Sequence, residues 1–266
     1  MLFNLLTCDA SRLTYQKRTW KLQKAEVVIE IAIPVLNEEA TLSLNIGRVL
    51  DYVNRNKVSE SEIRLVIADN GSTDSTQDIG EELAQKRREV RYLRLNERGV
   101  GRALKAAWQS SRANIIGYMD LDLATDLRHL ESLRMVEGDR FDILTGSRLL
   151  PGARVLNRSV LRSGVSRAFN LILRLYFDTR FSDGMCGFKF LRKEVLQRLL
   201  DSGANSDGWF FCTELLIVAQ HLNLRVGEIP IYWKDSGNSK VSIARLTFEY
   251  LVAMRRLRKL LTRQDL

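Results

Sequence analysis

A chain of 266 residues with a hydrophobic fraction of 45% has the size and composition of a globular protein of one large or two small domains. No apolar run approaches the roughly eighteen residues of a membrane-spanning helix, no secretory signal pattern is read, and three widely spaced cysteines (Cys8, Cys186, Cys212) with two histidines (His129, His221) argue against a disulfide framework, a zinc site and a Ser-His-Asp triad. The formal net charge of +9 suits nucleotide diphosphates, an acidic membrane surface or nucleic acid, and it suits plain solubility as well.

Residues 1–24, mixed polar and apolar with several lysines and arginines, read as a poorly specified arm or an amphipathic lead-in. From Val27 to Ile33 the chain reads as a strand stopped by Pro34, followed by a helix from about Glu38 to Val53 with Leu42, Ile46, Val49 and Leu50 on one face. Ile63–Ala68 is a second strand. A helix to about Arg88 follows, capped by Ser72 or Thr73, with Asp74 in its first turn. Val90–Leu95, Gly101–Arg112 and Asn114–Met119 read as strand, helix and strand, and Asp126–Val136 with Phe141–Thr145 adds a further helix and strand. Residues 147–158, with Arg148, Pro151, Gly152, Arg154 and Arg158, read as a loop. Val160–Phe177 is a helix, Gly187–Leu191 a strand, Trp209–Leu222 a helix and Leu224–Tyr232 a strand. There is no internal repeat.

Such alternation predicts an α/β fold, a mostly parallel sheet covered by helices. Ligands of these sheets bind outside the carboxyl ends of the strands. Three polar segments each follow a strand and converge on that edge: Asn37-Glu38, Asp69-Asn70-Gly71-Ser72 and Asp120-Leu121-Asp122. Two carboxylates at the rim of the apolar run Ile115–Met119 are costly unless a positive group joins them. A divalent cation with a diphosphate satisfies that need, because magnesium is commonly held by one or two carboxylates together with phosphate oxygens. The reading of the three cysteines is a reducing, cytosolic setting.

Seven motifs in one order resemble the family 2 glycosyltransferases of the GT-A fold, and among them the dolichyl- and polyprenyl-phosphate glucosyl- and mannosyltransferases. They are Pro34-Val35-Leu36-Asn37-Glu38, Ala68–Asp74, Met119–Leu123, Gly146-Ser147-Arg148, Asp183–Lys189, Gly208–Glu214 and Gly237-Asn238-Ser239-Lys240. The resemblance runs from about Ile31 to Lys240. It implies a GT-A (Rossmann-like) domain over 25–240 with a short antiparallel acceptor-side extension, preceded by the 1–24 arm and followed by a basic amphipathic helix over 241–266.

By the same resemblance Pro34, Glu38 and Asp69 line the nucleotide pocket. Asp120 lies near ribose and metal, Asp122 ligates Mg2+ or Mn2+, and Arg102 in a glycine-bearing basic loop approaches the donor phosphates. Leu104, where a dinucleotide fingerprint needs its third glycine, excludes a nicotinamide site. Arg148, Arg162 and Ser166 match positions that hold a lipid phosphate, which suits the bidentate fork of arginine. Lys189 and Lys240 add charge near the phosphates. Glu214 falls where the family keeps acidic residues and is a candidate base. Three positions depart from the pattern: Cys212 and Asn70 stand where relatives carry aspartate, and Leu36 where they carry an aromatic residue.

The implied reaction is inverting, metal-dependent transfer of a hexose from a donor of the UDP-glucose or GDP-mannose type to polyprenyl phosphate. Two alternatives are a soluble sugar or peptide hydroxyl as acceptor, and a non-catalytic sugar-nucleotide-binding protein. Nucleic acid is not expected, since the basic residues do not interleave with a stacking platform. Val241–Leu261 reads as a basic amphipathic helix. It either lies on an anionic membrane, placing the protein at the cytoplasmic membrane face, or docks on the core.

Overall fold

The structure is a computed structural model that describes residues 27–59, 61–235 and 243–264, with side chains of the last segment described from 249 to 263. The arm expected over 1–24 and the candidate Lys240 lie outside the described residues. Strand and helix alternate through β1 (Val28–Val35), α1 (Leu42–Asn56), β2 (Glu62–Asp69), α2 (Thr76–Lys86), β3 (Val90–Arg94), α3 (Val100–Gln109) and β4 (Ile115–Met119). A 3-10 segment, Leu127–Leu133, runs into the short α4 (Arg134–Glu137). Then come β5 (Ile143–Ser147), β6 (Arg154–Leu156), α5 (Val160–Phe177), β7 (Phe188–Arg192), α6 (Leu196–Asp201), α7 (Phe211–His221), β8 (Val226–Pro230), β9 (Tyr232–Lys234) and α8 (Ile243–Gln264).

The main sheet has seven strands in the order β3-β2-β1-β4-β7-β5-β8. Its strand pairs are parallel except where β7 lies antiparallel between β4 and β5. Antiparallel entry matters: Phe188 of β7 pairs with Met119, so the loop before β7 arrives at the carboxyl edge of β4. A second, two-stranded ladder pairs β6 with β9 in parallel. One antiparallel bridge, Thr125 to Trp233, ties that ladder to the segment after β4.

Period-2 alternation on the strands feeds two cores, one on each sheet face. Ile29, Ile31, Ile33, Leu65 and Ile67 pack with Leu42, Ile46, Val49 and Leu50 of α1. Ala32, Val66 and Ala68 face Ala103, Leu104 and Trp108 of α3, with α7 beside them. Helix α7 is buried continuously from Phe211 to Ala219, which explains its near absence of charge.

Local expectations differ from the structure in places that tertiary contacts decide. Helix α1 starts at Leu42, after a turn in which Leu42 N donates to Glu38 O. Helix α2 starts at Thr76, because Ser72 and Thr73 are taken by the neighbouring loop: Ser72 Oγ accepts from Asn37 N, and Thr73 N donates to Asn37 Oδ1. The 126–136 helix is mostly 3-10, and the 147–158 loop contains β6. Helix α8 docks on the core through Tyr250, Met254, Leu257 and Leu261, spaced four, three and four residues apart. Among the described residues no helix is long and apolar enough to cross a membrane.

Candidate active site

The carboxyl ends of β1, β2 and β4 lie side by side, with Val35 paired to Asp69 and Ala32 to Tyr118. Pro34 is the penultimate residue of β1. The following turn places Asn37 in the left-handed region, φ 53°, and Glu38 N donates to Thr76 Oγ1 at 2.8 Å. Glu39 N and Thr76 N both donate to Asp74. The first two expected segments are therefore stitched into one wall. Glu38 stays half-buried on it, its carboxylate accepting from Thr41 Oγ1.

Asp69 ends β2 fully buried. One oxygen accepts from Ser72 N at 2.8 Å, and the other accepts from Tyr92 Oη at 2.5 Å and Arg94 Nη1 at 3.2 Å. Burial, with the Asp69 charge beside it, raises the Tyr92 phenol well above its ordinary value. Asn70 turns inward too, its Oδ1 accepting from Gly99 N. An amide oxygen suffices for that bond, because a backbone N–H needs only an acceptor.

Asp120 leaves β4 at the centre of this edge. Among the described residues no donor is hydrogen-bonded to its carboxylate. Burial, then the charge of Asp122, pushes its pKa up to about 7, with Arg148 and Lys189 pulling the other way. Space for it is provided by Gly187, where a Cβ would stand 1.8 Å from Asp120 Oδ2. Asp122 lies two residues on, exposed, with Oδ1 accepting from Ala124 N at 3.0 Å. Two neighbouring carboxylates, one held back from ionising by its surroundings, fit a divalent cation that takes its remaining ligands from phosphate and water. Among the described residues there is no cluster of three or more carboxylate, thiol or imidazole ligands, so these two are what the described residues offer at this edge.

The basic groups expected opposite are brought near but are not equivalent. Arg148 follows β5 and grips buried Asp183 bidentately, Nε to Oδ2 at 2.7 Å and Nη2 to Oδ1 at 2.9 Å. Burial pushes Asp183 upward, yet the Arg148 charge and hydrogen bonds hold its pKa below the usual carboxylate value. Arg162 in the first turn of α5 donates to Asp235 Oδ2 at 2.8 Å. Ser166 is buried one turn on and accepts from Arg158 Nη2 at 3.1 Å. Lys189 is buried in β7, and its Nζ donates to the carbonyls of Gly184 and Cys186, bracing the loop that carries Gly187.

Arg102, on α3, pairs with Asp207 at 2.9 Å and with Glu97. It pins the 205–208 loop over Gly101, where a Cβ would meet Ser206 O at 2.3 Å. Glu214 is fully buried on α7. Its Oε2 accepts from Ser206 N at 2.7 Å, and its Oε1 from Ser206 Oγ at 2.6 Å and Arg256 Nη2 of α8 at 2.8 Å. Both oxygens are taken by this loop and by α8. Cys212 is buried with its thiol pushed up to about 11 by that burial, which leaves it protonated at neutral pH.

The sequence expectations give Arg158 no role beyond the 147–158 loop and assign none to Trp233 or Asp183. Arg158 lies just past β6 and Trp233 in β9, and the guanidinium sits 5.4 Å from the indole centroid. Only the β6–β9 pairing brings them together; nothing in a loop arginine or a strand tryptophan signals it. Asp183 did carry a signal, since it opens one of the seven motifs.

Comparison with known proteins places this edge in a family. The glycosyl transferase family 2 model matches residues 30–200. Glycosyltransferase AglD of Haloferax volcanii is 34% identical over 232 residues, covering 86% of this chain and 37% of AglD, so the chain spans little more than a third of that relative. A dolichyl-phosphate beta-glucosyltransferase, ALG5C of Trichomonas vaginalis, is 28% identical over 83% of this chain and 68% of its own. The dolichyl-phosphate beta-glucosyltransferase of Saccharomyces cerevisiae is 25% identical over 82% and 70%. Glucosyl-3-phosphoglycerate synthase from Mycobacterium tuberculosis, solved with Mn2+, UDP and glucosyl-3-phosphoglycerate, superposes with a TM-score of 0.62 at 17% identity, covering 89% of this chain and 81% of that one. The last likeness carries the fold, the GT-A arrangement expected from the motifs.

Proposed function

The chain belongs to glycosyl transferase family 2, and from that premise we propose that it moves a hexose, with inversion, from a nucleotide-diphosphate sugar to polyprenyl phosphate. The observation that carries the reading is the juxtaposition, at one sheet edge, of the acidic doublet Asp120–Asp122 with a basic layer formed by the start of α5 and the β6–β9 ladder. Donor and acceptor are both phosphate esters, and such a pair needs an acidic cation-binding wall and a basic wall facing one cleft. Relatives named as dolichyl-phosphate beta-glucosyltransferases support the acceptor class.

Pro34, Glu38 and the Asp69 turn shape the nucleoside side of the cleft. Asp69 does so through the turn it fixes, since its oxygens are held by Ser72, Tyr92 and Arg94. Asp120 and Asp122 would hold Mg2+ or Mn2+, which when bound neutralises charge on the departing diphosphate. In that role Asp120 would be ionised. Arg102 acts on the donor indirectly, by setting the 205–208 loop over the start of α3. On the acceptor side Arg148 and Arg162 order the basic layer through Asp183 and Asp235.

A phosphate monoester is already anionic and attacks without losing a proton to the protein. A hydroxyl acceptor needs a base. The engagement of both Glu214 oxygens with Ser206 and Arg256 favours the phosphate acceptor over the hydroxyl one.

Access to a lipid acceptor falls to the face where α5 turns outward. Val160, Leu161 and Leu175 are 89%, 71% and 78% exposed, and Leu171 and Ile172 are exposed beside them. Arg167 and Arg174 share this helix, and α8, bound to it through Arg258 Nη1 and Tyr176 O at 2.6 Å, adds Arg255 and Lys259 on its outer side. Apolar residues flanked by arginines suit an anionic bilayer surface. The acceptor phosphate would then meet Arg162 at the amino end of α5 without leaving the headgroup region.

The decisive experiment mixes purified protein, Mn2+ or Mg2+, UDP-glucose or GDP-mannose, and a short polyprenyl phosphate, with the products weighed by mass spectrometry. A glycosyl polyprenyl phosphate is expected from the wild type. Asp122→Ala is expected to lose at least 100-fold in turnover with its melting temperature kept. Full turnover in that variant would refute the acidic-doublet role.

A further inference from the structure

Strand β9 pairs with β6 along one edge, and along the other it lies against the segment that leads away from the acidic doublet. On that second seam Lys234 N donates to Ala124 O at 2.8 Å and Asp126 N to Tyr232 O at 3.1 Å, either side of the Thr125–Trp233 bridge. The next bond closes the seam on a side chain instead of a backbone carbonyl: Tyr232 N donates to His129 Nε2 at 2.8 Å. A backbone N–H can only donate, so Nε2 is the bare nitrogen of a neutral ring. A proton on it sets two donors face to face and breaks the bond.

The ring is fixed where it stands. His129 N donates to Asp126 O, and the His129 carbonyl accepts from Ser132 Oγ at 2.6 Å. The imidazole is half-buried and edge-on to Phe188 of β7, ring centroids 6.5 Å apart. The charged and titratable groups around it are Asp126 and Arg128 of its own segment and Tyr232 of β9, whose ring Arg128 covers at 5.2 Å. Tyr52 of α1 reaches the same segment through Glu131 at 3.2 Å. Burial lowers the His129 pKa from its ordinary 6.5, against Asp126 and with Arg128. The folded chain therefore holds this proton more weakly than the unfolded one, so the bond is whole above pH 6.5 and is lost as the pH falls below it. What β9 carries gives the seam its importance: Trp233 lies against the guanidinium groups of Arg148 and Arg158, at 5.5 and 5.4 Å.

We propose that His129 is a positioning residue for the acceptor side of the reaction: its neutral imidazole latches β9 to the segment that follows Asp122, and a proton on it opens the latch and weakens acceptor use. The kinetic part of the inference rests on the polyprenyl-phosphate reading above; the bond from Tyr232 does not.

Two measurements on the full chain test it. His129 and His221 are the two histidines of the sequence, so proton NMR of the imidazole C2–H signals, assigned with His221→Gln, follows each ring. His129 is expected to titrate below 6.5, and titration at or above that value overturns the proposal. The second measurement is steady-state kinetics from about pH 8 to about pH 5, with the nucleotide sugar that the wild type uses and a short polyprenyl phosphate. His129→Gln keeps an acceptor that takes up no proton, and His129→Leu has none. At the alkaline end the wild type and the glutamine variant should share one acceptor KM, with the leucine variant about fivefold higher, the worth of one neutral hydrogen bond. At the acid end the wild type should approach the leucine variant, while the glutamine variant keeps its advantage. Asp120 and the acceptor phosphate also titrate near neutrality, but they do so in all three proteins and cancel in the ratios. A ratio of wild type to glutamine variant that stays constant across the range overturns the proposal. An equal rise of donor and acceptor KM in the leucine variant overturns it too, because it marks a general structural role; should that variant melt early, the ratio to the glutamine variant decides. A wild type that ignores polyprenyl phosphate removes the reaction and the acceptor-side role together, even where His129 titrates as expected.

Discussion

Replacing Glu214 with glutamine separates a positioning carboxylate from a catalytic base. Glu214 is fully buried and receives three hydrogen bonds of 2.6–2.8 Å, from Ser206 N, Ser206 Oγ and Arg256 Nη2. Glutamine keeps one acceptor oxygen and turns an amide NH2 toward either the Ser206 N–H or the Arg256–Ser206 pair. At least one donor is then left facing a donor. A hydrogen bond to a charged group contributes roughly 1.5–3 kcal/mol. Breaking a fully buried ion pair costs about 3–5 kcal/mol, and the half-exposed Arg256 side chain brings the expectation to the lower end, about 3 kcal/mol. At roughly 2–4 °C per kcal/mol for a domain of this size, the melting temperature should fall by about 6–12 °C. Turnover at 25 °C, where the variant is still folded, should change by less than about tenfold, with any loss appearing in the donor KM because Ser206 belongs to the loop that Arg102 holds. Thermal melts and steady-state kinetics on the same preparation read both quantities. A thousandfold loss of kcat with an unchanged melting temperature would refute the positioning argument and restore a base at this position.

Gly187→Ala probes the room given to Asp120: with the new Cβ at 1.8 Å from Oδ2 in the present geometry, the carboxylate must move. Mn2+ binding, followed by titration calorimetry, should weaken at least tenfold along with turnover; wild-type affinity in the variant would mean that the placement of Asp120 is immaterial. Leu161→Glu with Leu175→Glu tests the outer face of α5. Each inserted leucine is worth roughly 1.5–3 kcal/mol, so the double variant should lose more than tenfold in co-sedimentation with phosphatidylserine-containing vesicles while melting as the wild type does. Unaltered sedimentation would move the membrane contact elsewhere.

Sequence periodicity was a sound guide wherever a segment buries a regular face. The strands at 28–35, 62–69, 90–94 and 115–119 and helices α1, α3, α5 and α7 lie close to their expected spans, because alternation and helical spacing report directly which side chains leave water. Boundaries slipped at α2, where Ser72 and Thr73 are hydroxyls fit to cap a helix but bond to Asn37 instead. Between Ser147 and Val160 the chain has turn composition and no period, so β6 was invisible until β9 lay beside it. The tail shows a third case: its apolar stripe fits a membrane or a core equally, and Tyr250, Met254, Leu257 and Leu261 find the core.

The candidate site divides in the same way. That acidic residues gather at the carboxyl edge follows from a sequence in which Glu38, Asp69, Asp120 and Asp122 each come at or just after the end of a strand, since a parallel sheet points all those ends in one direction. What each polar group is free to do depends on its partners, and those come from residues distant in the chain: Tyr92 and Arg94 for Asp69, Asp183 for Arg148, Ser206 and Arg256 for Glu214. Charge and spacing are local properties, so the sequence by itself determined where the acids and bases of this protein stand along the edge. Satisfaction of a buried charge is a property of the whole packed fold, and only the tertiary structure decided that Glu214 and Asp69 have their oxygens taken while Asp120, among the described residues, has no donor hydrogen-bonded to its carboxylate.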